Sequence, residues 1–259
     1  MQTIQLQHYD FYTVLTFNRA EVHNAFNAQM IEEITEVIRG ITAHESTRVL
    51  VIRGAGKSFS AGADLKYMQA LANYSEAENV ADSKRLFDLF DSIYCCAIPV
   101  VSVVHGAAFG GANGIIAASD YAIASQSAKF AFSEVKLGIL PATISPFVLH
   151  KIGQAAARDL LLSGRRFSGE EAQRLGLVNE AVAEEALEEQ LQAYLNHFKS
   201  ASPDAVQKTK KMIRQLANDQ VLDIREYTAH LIAEARASHA GKEGIAAFFE
   251  KRKPNWNDK

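Results

Sequence analysis

Two short segments rich in glycine and alanine follow apolar runs, and their main-chain N–H groups are the first candidates for chemistry. The first is GAGKSFSAGAD at residues 54–64, and the second is HGAAFGGANG at residues 105–114. Small side chains let a ligand approach the backbone closely. The first N–H groups of a helix have no intrahelical partner, so a loop that opens into a helix can donate hydrogen bonds to a ligand. Each segment is therefore a candidate binding loop.

The Gly-Lys-Ser at residues 56–58 is also found at the end of a nucleotide-binding P-loop. In that loop an earlier glycine makes the turn whose N–H groups cradle the phosphate. The earlier glycine would fall at position 51, which is Val51 and lies inside the apolar run. A P-loop also enters its helix at once, whereas here residues 59–63 intervene. The spacing therefore argues against a nucleotide hydrolase.

The two segments together suggest an oxyanion hole. If their free N–H groups lie at the ends of neighbouring strands, they can converge on one oxygen and stabilise negative charge that develops on a carbonyl. The competing interpretation is structural, because glycines in both turns also allow a helix to pack closely on a strand. Composition alone leaves both interpretations open.

The elements that would position these segments follow from hydrophobic periodicity. Continuous apolar or β-rich runs predict strands, and apolar residues at helical spacing predict helices. Ser75 and Glu78 match a capping box at the start of one helix. Alternating strands and helices predict an α/β fold with its sheet covered on both faces. The predicted strands are 11–17, 48–53, 99–104, 120–125 and 129–133, and the predicted helices include 27–44 and 75–96.

From about residue 184 the pattern is helical to the end of the sequence. Three amphipathic helices are predicted within residues 183–201, 202–218 and 221–238, and Pro203 stands at a favoured helix-start position. We therefore predict a body over residues 1–200 and a helical region over residues 201–259.

Composition excludes several classes of function. The net charge is −3 with both signs interspersed, which argues against a nucleic-acid surface. No apolar run is long enough for a transmembrane helix, and the first residues do not resemble a signal peptide. The two cysteines, Cys95 and Cys96, are adjacent and are expected to be buried free thiols. These features predict a cytoplasmic protein.

Six motifs, in order over nearly the whole chain, resemble the enoyl-CoA hydratase/isomerase (crotonase) superfamily. The resemblance implies a core of stacked ββα turns in two sheets, with a C-terminal helical region that forms homotrimers, which usually pair into hexamers. It also implies a coenzyme A thioester as the ligand, with no metal and no redox cofactor. The motifs are FNRAEVHNAFN, FSAGADLKYM, HGAAFGGANGIIAASDYAIAS, FAFSEVKLGILPA, LLLSGRRFSGEEAQRLGLVNEAV and AFFEKRKPNW.

The resemblance assigns catalytic roles to three residues. By motif position, the N–H groups of Ala63 and Gly111 would hold the thioester carbonyl, and Glu134 would be the catalytic carboxylate. Hydratases of the family commonly carry a second glutamate three residues after the second N–H donor, and this chain has Gly114 there. Two carboxylates can divide proton removal and proton donation between them. With one, Glu134 would do both, or another group would orient the water.

The resemblance also predicts where coenzyme A binds. Ala61, Asp64 and Leu65 would line the adenine side, and Val22 and His23 would follow the pantetheine. Phe248 and Lys251 of a neighbouring subunit would reach the nucleotide phosphate. Lys251 lies in EKRK, which is equally typical of a solvated tail.

The segment PATISPFVLHKIG at residues 141–153 distinguishes subfamilies. Together with Gly114 it is similar to bacterial hydratases of methylglutaconyl-CoA and related branched or carboxylated enoyl-CoAs, as in leucine degradation. Ser145, Thr143 or His150 could receive a second carboxylate of such a substrate, although a structural role is favoured for each.

Three functions remain open at this point. Hydration of a 2-enoyl-CoA is favoured by the PATISP segment, and isomerisation of a 3-enoyl-CoA to a 2-enoyl-CoA is favoured by the single glutamate. A third reading, from another class, is a coenzyme A-binding protein that has lost catalysis. The retained Glu134 argues against that reading, and the lack of a G-x-S-x-G motif argues against a serine hydrolase.

Overall fold

Two β-sheets form the body of the chain in the computed structural model, which describes residues 1–41 and 47–258. The larger sheet has the strand order β1-β2-β3-β4-β6-β9, and the smaller has the order β5-β7-β8. Pairs β1–β2 and β7–β8 are antiparallel and the other pairs are parallel. The strands are β1 Ile4–His8, β2 Tyr12–Phe17, β3 Val49–Gly54, β4 Val100–Val104, β5 Ala107–Phe109, β6 Tyr121–Ser125, β7 Lys129–Ala131, β8 Arg166–Ser168 and β9 Glu180–Val182.

Ten α-helices accompany the strands in the described ranges. Asn27, Asp64 and Ser75 cap the first three with their side chains, and Ser75 forms the predicted capping box with Glu78. The helices are α1 Ala28–Gly40, α2 Leu65–Leu71, α3 Glu76–Cys95, α4 Gly111–Ala118, α5 Ser145–Ser163, α6 Gly169–Arg174, α7 Leu187–Asn196, α8 Pro203–Ala217, α9 Ile224–Ala237 and α10 His239–Glu250.

The central strands of the larger sheet are buried on both faces. Alternate residues of a strand point to opposite faces. In β3, Leu50 and Ile52 belong to the main core with α1, α3 and α4, whereas Val49 and Val51 belong to a second core against α7. The continuous apolar runs of β3 and β4 follow from this double coverage.

The predicted α/β organisation is confirmed, with differences at the short elements. The strand predicted over residues 129–133 ends at Ala131, and β1, β5, β8 and β9 were not predicted. The helix predicted over residues 27–44 ends at Gly40, and residues 42–44 lie outside the described residues. Cys96 is a buried free thiol as expected, but Cys95, at the end of α3, is exposed, so that part of the expectation was wrong.

The predicted helical C-terminal region consists of α8, α9 and α10. Pro203 is the first residue of α8, as its sequence position indicated. Polar contacts attach α8 to the body, because Lys210 forms an ion pair with Asp120 and Arg214 donates to the carbonyl of Cys95. Within the described ranges, no helix combines the length and the apolar character that crossing a membrane requires.

Candidate active site

The first glycine-rich segment leaves one main-chain N–H without a partner. The N–H groups of Ser60, Ala61 and Gly62 donate to Ala107 O, His23 O and Ser60 Oγ. The N–H of Asp64 donates to Phe26 O at 2.8 Å. Among the described hydrogen bonds, none uses the N–H of Ala63, which is an exposed residue. This N–H is therefore free to bind a ligand oxygen.

The second segment leaves a comparable donor at the start of α4. The N–H of Phe109 donates to Ser60 O, and that of Gly110 donates to Ala131 O at 2.9 Å. Gly111 is the first residue of α4, where no intrahelical acceptor exists. Gly110 has φ +53°, a conformation that favours glycine, and this turn directs the chain into the helix. The part of the chain that the structure describes provides no acceptor for Gly111 N–H.

Strand pairing brings the two free donors together. Strands β3 and β4 are parallel neighbours, so the loops that follow them leave the same edge of the sheet. A further bridge pairs Ser60 with Ala108. Beyond this bridge the backbones are in contact, because a methyl group on Gly62 would stand 2.9 Å from Phe109 O. The two free N–H groups therefore lie on adjacent loops, as the sequence suggested, and can approach one ligand oxygen.

Glu134 lies next to the second donor. It follows β7 and begins a 3₁₀ turn, Glu134–Leu137. A methyl group on Gly110 would stand 3.4 Å from Glu134 Oε1, so the carboxyl lies against the residue that precedes Gly111. Its Oε2 is buried and has no hydrogen-bond partner among the described residues. Burial raises the pKa of Glu134 above its usual value. A carboxyl with one unpaired oxygen and a raised pKa is suited to proton transfer.

Position 114 is filled by apolar neighbours. A methyl group on Gly114 would stand 2.5 Å from Ile144 Cγ2 and 2.7 Å from Phe90 Cε1. A glutamate could not enter this space unless both side chains moved. The packing of α3, α4 and the segment before α5 therefore leaves no room for a carboxylate side chain at position 114.

Asn113, which adjoins Gly114, has a structural role. Its side chain is fully buried, and its Nδ2 donates to Ala108 O and Ala131 O, which belong to strands β5 and β7. It therefore links the two strands whose ends carry Gly110 and lead to Glu134. A side chain held by these two bonds does not take the place of the second glutamate.

The predicted coenzyme A residues of the first half of the chain lie around the Ala63 loop. Val22, His23 and Leu65 are exposed, and Ala61 is partly exposed. The ring of His23 is within hydrogen-bond distance of Ser58 Oγ, at 3.1 Å. Asp64 differs, because its carboxylate is buried, caps α2 and pairs with Arg19 at 2.8 Å. The role of these residues in binding stays a prediction.

Phe248 and Lys251 lie at the end of α10. Phe248 is 78% exposed and Lys251, the C-cap residue, is also exposed. No described contact joins them to the Ala63 or Gly111 loops of the same chain. The prediction places them at a neighbouring subunit's site, which a single chain does not test.

The residues suggested for a substrate carboxylate do not form a cluster. Ser145 Oγ donates to Pro141 O at 2.6 Å, and His150 packs edge-on against Tyr94 of α3. Thr143 is partly exposed. The residue that approaches the site from this segment is Ile144, which sequence reasoning did not select. Its apolar side chain between two polar residues gave no signal of that contact.

Comparisons with known proteins were made for the whole chain. The profile of the family described as enoyl-CoA hydratase/isomerase matches residues 11–259. The crotonyl-CoA hydratase of Syntrophomonas wolfei is 31% identical over 260 residues, which cover 100% of this chain and 99% of that protein.

Solved structures give the same result. An enoyl-CoA hydratase from Shewanella pealeana is 36% identical with a TM-score of 0.94, covering 98% of this chain and 96% of that one. A Legionella pneumophila protein assigned as an enoyl-CoA hydratase/isomerase (crotonase) is 42% identical with a TM-score of 0.92, covering 99% of this chain and 100% of that one.

Proposed function

The chain belongs to the enoyl-CoA hydratase/isomerase family, and from this premise we propose that it adds water across the 2,3 double bond of an enoyl-CoA thioester. The observation that carries the proposal is the pair of free N–H groups, those of Ala63 and Gly111, on two backbones in contact beside the unpaired Oε2 of Glu134. The ligand is the substrate's coenzyme A, and the reaction needs no metal.

Three groups of the chain act in the proposed reaction. The thioester oxygen accepts hydrogen bonds from Ala63 and Gly111, which withdraws electrons from the conjugated double bond. Glu134 removes a proton from water, and the oxygen of that water bonds to Cβ. The resulting enolate is stabilised by the two donors, each worth about 3 kcal/mol in comparable sites. Glu134 then returns the proton to Cα, which completes the addition.

The packing at Gly114 supports one carboxylate for both proton transfers. Phe90 and Ile144 occupy the volume of a second glutamate, so a division of labour between two carboxylates is not available. The raised pKa of Glu134 suits this double use, because a group that ionises nearer neutrality both accepts and donates a proton readily.

Isomerisation is the second candidate, and the same packing favours it. A single carboxylate suffices to move a proton from Cα to Cγ of a 3-enoyl-CoA while the enolate rests on the two donors. The inactive coenzyme A-binding alternative is less well supported, because a buried carboxyl oxygen without a partner is costly to keep in a protein that does not use it.

We further propose a branched acyl group, such as methylglutaconyl or a related chain. The similarity of the PATISP segment to hydratases of branched enoyl-CoAs supports this. The coenzyme A moiety lies along Val22, His23, Ala61, Asp64 and Leu65, with Phe248 and Lys251 supplied by a neighbouring subunit of a homotrimer or hexamer.

Ultraviolet absorbance of the conjugated thioester distinguishes the candidates. Hydration of crotonyl-CoA or methylglutaconyl-CoA removes the absorbance, whereas isomerisation of a 3-enoyl-CoA creates it. We expect loss of absorbance, with a higher kcat/KM for the branched substrate. Gain of absorbance from a 3-enoyl-CoA, with neither 2-enoyl-CoA hydrated, would establish the isomerase instead.

A proline at position 111 tests the hole itself. Gly111 is the first residue of α4, a position that proline tolerates, and proline lacks the N–H. We expect Gly111→Pro to lower kcat by about 10²- to 10³-fold, whereas Gly111→Ala retains the N–H. Equal rates for the two variants would exclude Gly111 as a donor.

A further inference from the structure

We propose that Arg19 is a positioning residue for the proposed active site, which orients the N–H of Ala63 by holding Asp64. The inference rests on the proposed function of Ala63 as an oxyanion donor. Arg19 belongs to the segment between β2 and α1, and Asp64 lies 45 residues later. Neither side chain is in contact with Glu134 among the described contacts.

The guanidinium of Arg19 joins two segments. Its Nη2 donates to Asp64 Oδ2 at 2.8 Å, and its Nη1 donates to the main-chain oxygen of Ala25. The pair is shielded from water, since the side chains are only 16% and 11% exposed. Two directional bonds from one rigid, planar group fix the relative position of both partners.

Between these two anchor points lies a short bridge that carries the donor. Phe26 N–H donates to Gly62 O at 2.7 Å, and Asp64 N–H donates to Phe26 O at 2.8 Å. Phe26 and Ala63 are the paired residues of a parallel bridge. In such a bridge the flanking residues make the hydrogen bonds, so the N–H of the central residue points away from its partner strand. The bridge therefore aims the N–H of Ala63.

Arg19 restrains this bridge on both sides. Ala25 precedes Phe26, and Asp64 follows Ala63, so a guanidinium bound to both prevents the two segments from sliding. The same carboxylate accepts from the N–H groups of Lys66 and Tyr67 and caps α2. Burial alone would raise the pKa of Asp64. These two hydrogen bonds and the hydrogen bond from Arg19 instead hold that pKa below its usual value. Asp64 is thus ionised whenever the enzyme works.

A purely structural role makes a different prediction. A buried ion pair is weak support for stability by itself, since the cost of removing both charges from water offsets much of their attraction. Loss of stability would lower the amount of folded enzyme without changing the carbonyl polarisation of bound substrate. Positioning of the donor changes that polarisation in every folded molecule.

The test compares Arg19→Lys and Asp64→Asn with the native protein. Lysine retains the charge but has one nitrogen, and asparagine retains the helix cap but loses the charge. The probe is 4-(dimethylamino)cinnamoyl-CoA, whose absorption moves to the red when its carbonyl is polarised. We expect both variants to show a smaller red shift, with kcat lowered roughly 10- to 100-fold. For Arg19→Lys, which lies outside the proposed coenzyme A residues, we expect KM to change less than about 3-fold.

Arg53→Lys is the matched control, because Arg53 pairs with Glu188 at 3.3 Å on the sheet face that packs against α7. It should retain the native shift and kcat. The double variant should lose no more kcat than either single variant, since the pair acts as one unit. A native red shift in folded Arg19→Lys and Asp64→Asn would overturn the positioning role, even if their thermal stability fell. Absence of a red shift in the native protein would instead refute the proposed oxyanion hole.

Discussion

At the scale of single residues, the site combines free main-chain donors with one carboxyl in an apolar setting. Glu134 has an oxygen without a partner, and position 114 carries no side chain, with Phe90 and Ile144 filling the space beside it. Both features cost stability or restrict substitution, and both are expected where a site is arranged for chemistry rather than for packing.

Replacement of Glu134 by glutamine should separate activity from stability. We expect Glu134→Gln to lower kcat by about 10²- to 10⁴-fold, the usual contribution of a general acid–base group. Burial raises the pKa of Glu134, so folding favours its protonated form. That preference stabilises the fold below the pKa of the unfolded chain and is lost as the pH rises through the folded-state pKa.

The variant should therefore melt at a higher temperature than the native protein at about pH 8, and the difference should vanish near about pH 4. Thermal unfolding over this range, with Glu36→Gln on the exposed side of α1 as a control, measures the effect. A variant that is less stable than the native protein at about pH 8 would contradict this account of Glu134.

A methyl group at position 114 should destabilise the protein. Alanine favours a helix over glycine by about 1 kcal/mol, but overpacking of a core costs about 1 to 3 kcal/mol. The Cβ would stand 2.5 Å from Ile144 and 2.7 Å from Phe90, so we expect the packing cost to dominate for Gly114→Ala. Urea unfolding measures it.

Gly40→Ala in α1 is the matched control, because no described heavy atom lies within 4 Å of its Cβ position. It should be neutral or slightly stabilising. If Gly114→Ala proved as stable as Gly40→Ala, the space beside Gly114 would be open to a second carboxylate after all.

At the scale of elements, α2 is held mainly by polar contacts at its beginning and middle. No residue of α2 is buried. Its first turn is capped by Asp64, and the hydroxyl of Tyr67 donates to Asp82 of α3, whose two oxygens both lie at 2.6 Å. Asp82 is 5% exposed and also pairs with Arg85. The helix that follows the Ala63 donor therefore depends on few interactions.

Removal of the Tyr67 hydroxyl should loosen α2. Tyr67→Phe leaves a buried carboxylate with one partner fewer, which costs about 1 to 3 kcal/mol. We expect the substitution to increase hydrogen exchange, relative to the native protein, more at the amides of α2 than at those of α1. Tyr74→Phe, which changes a more exposed tyrosine beyond the end of α2, should have little effect. Unchanged exchange in Tyr67→Phe would mean that the Asp64 cap alone holds the helix.

The elements that the sequence predicted are those with strong periodicity. Strands β3 and β4 have continuous apolar runs because both faces are buried. The capping box of Ser75 and Glu78 indicates the start of α3. Strands β5, β8 and β9 contain three residues each, too few for a period to be visible. Ile4 and Leu6 of β1 alternate with glutamines, which is the period of a half-buried strand.

The site was predictable only in part for a related reason. Glycine-rich loops after buried strands indicate free N–H groups from local sequence alone. The contact of Arg19 with Asp64 spans 45 residues, and that of Ile144 with position 114 joins two helical segments. Neither contact leaves a local pattern, because it depends on how separate elements pack.

At the scale of the whole molecule, the C-terminal helices have almost no core of their own. Within α8, α9 and α10 only Ala247 is buried, although these helices carry several large apolar side chains. Phe248 and Phe249 are each 78% exposed and lie next to each other. Exposed apolar surface on this scale is typical of subunit interfaces, which supports the proposed homo-oligomer.

Sedimentation equilibrium tests this assembly. We expect a mass corresponding to three or six chains of 28.4 kDa. Replacement of Phe248 and Phe249 by serine should shift the equilibrium toward smaller species, while serine at Leu162, which is 72% exposed on α5, serves as a control for the loss of apolar surface. A monomeric native protein would refute the proposed oligomer.

The main-chain origin of the two proposed oxyanion donors has a consequence for how such a protein can diverge. Every amino acid except proline supplies an N–H, so mutation at positions 63 and 111 changes the side chain and leaves the donor in place. The apparatus that stabilises the enolate is therefore inherited with the fold, whereas acids, bases and pocket walls are free to drift. A lineage can lose one glutamate and still retain the ability to form the same intermediate.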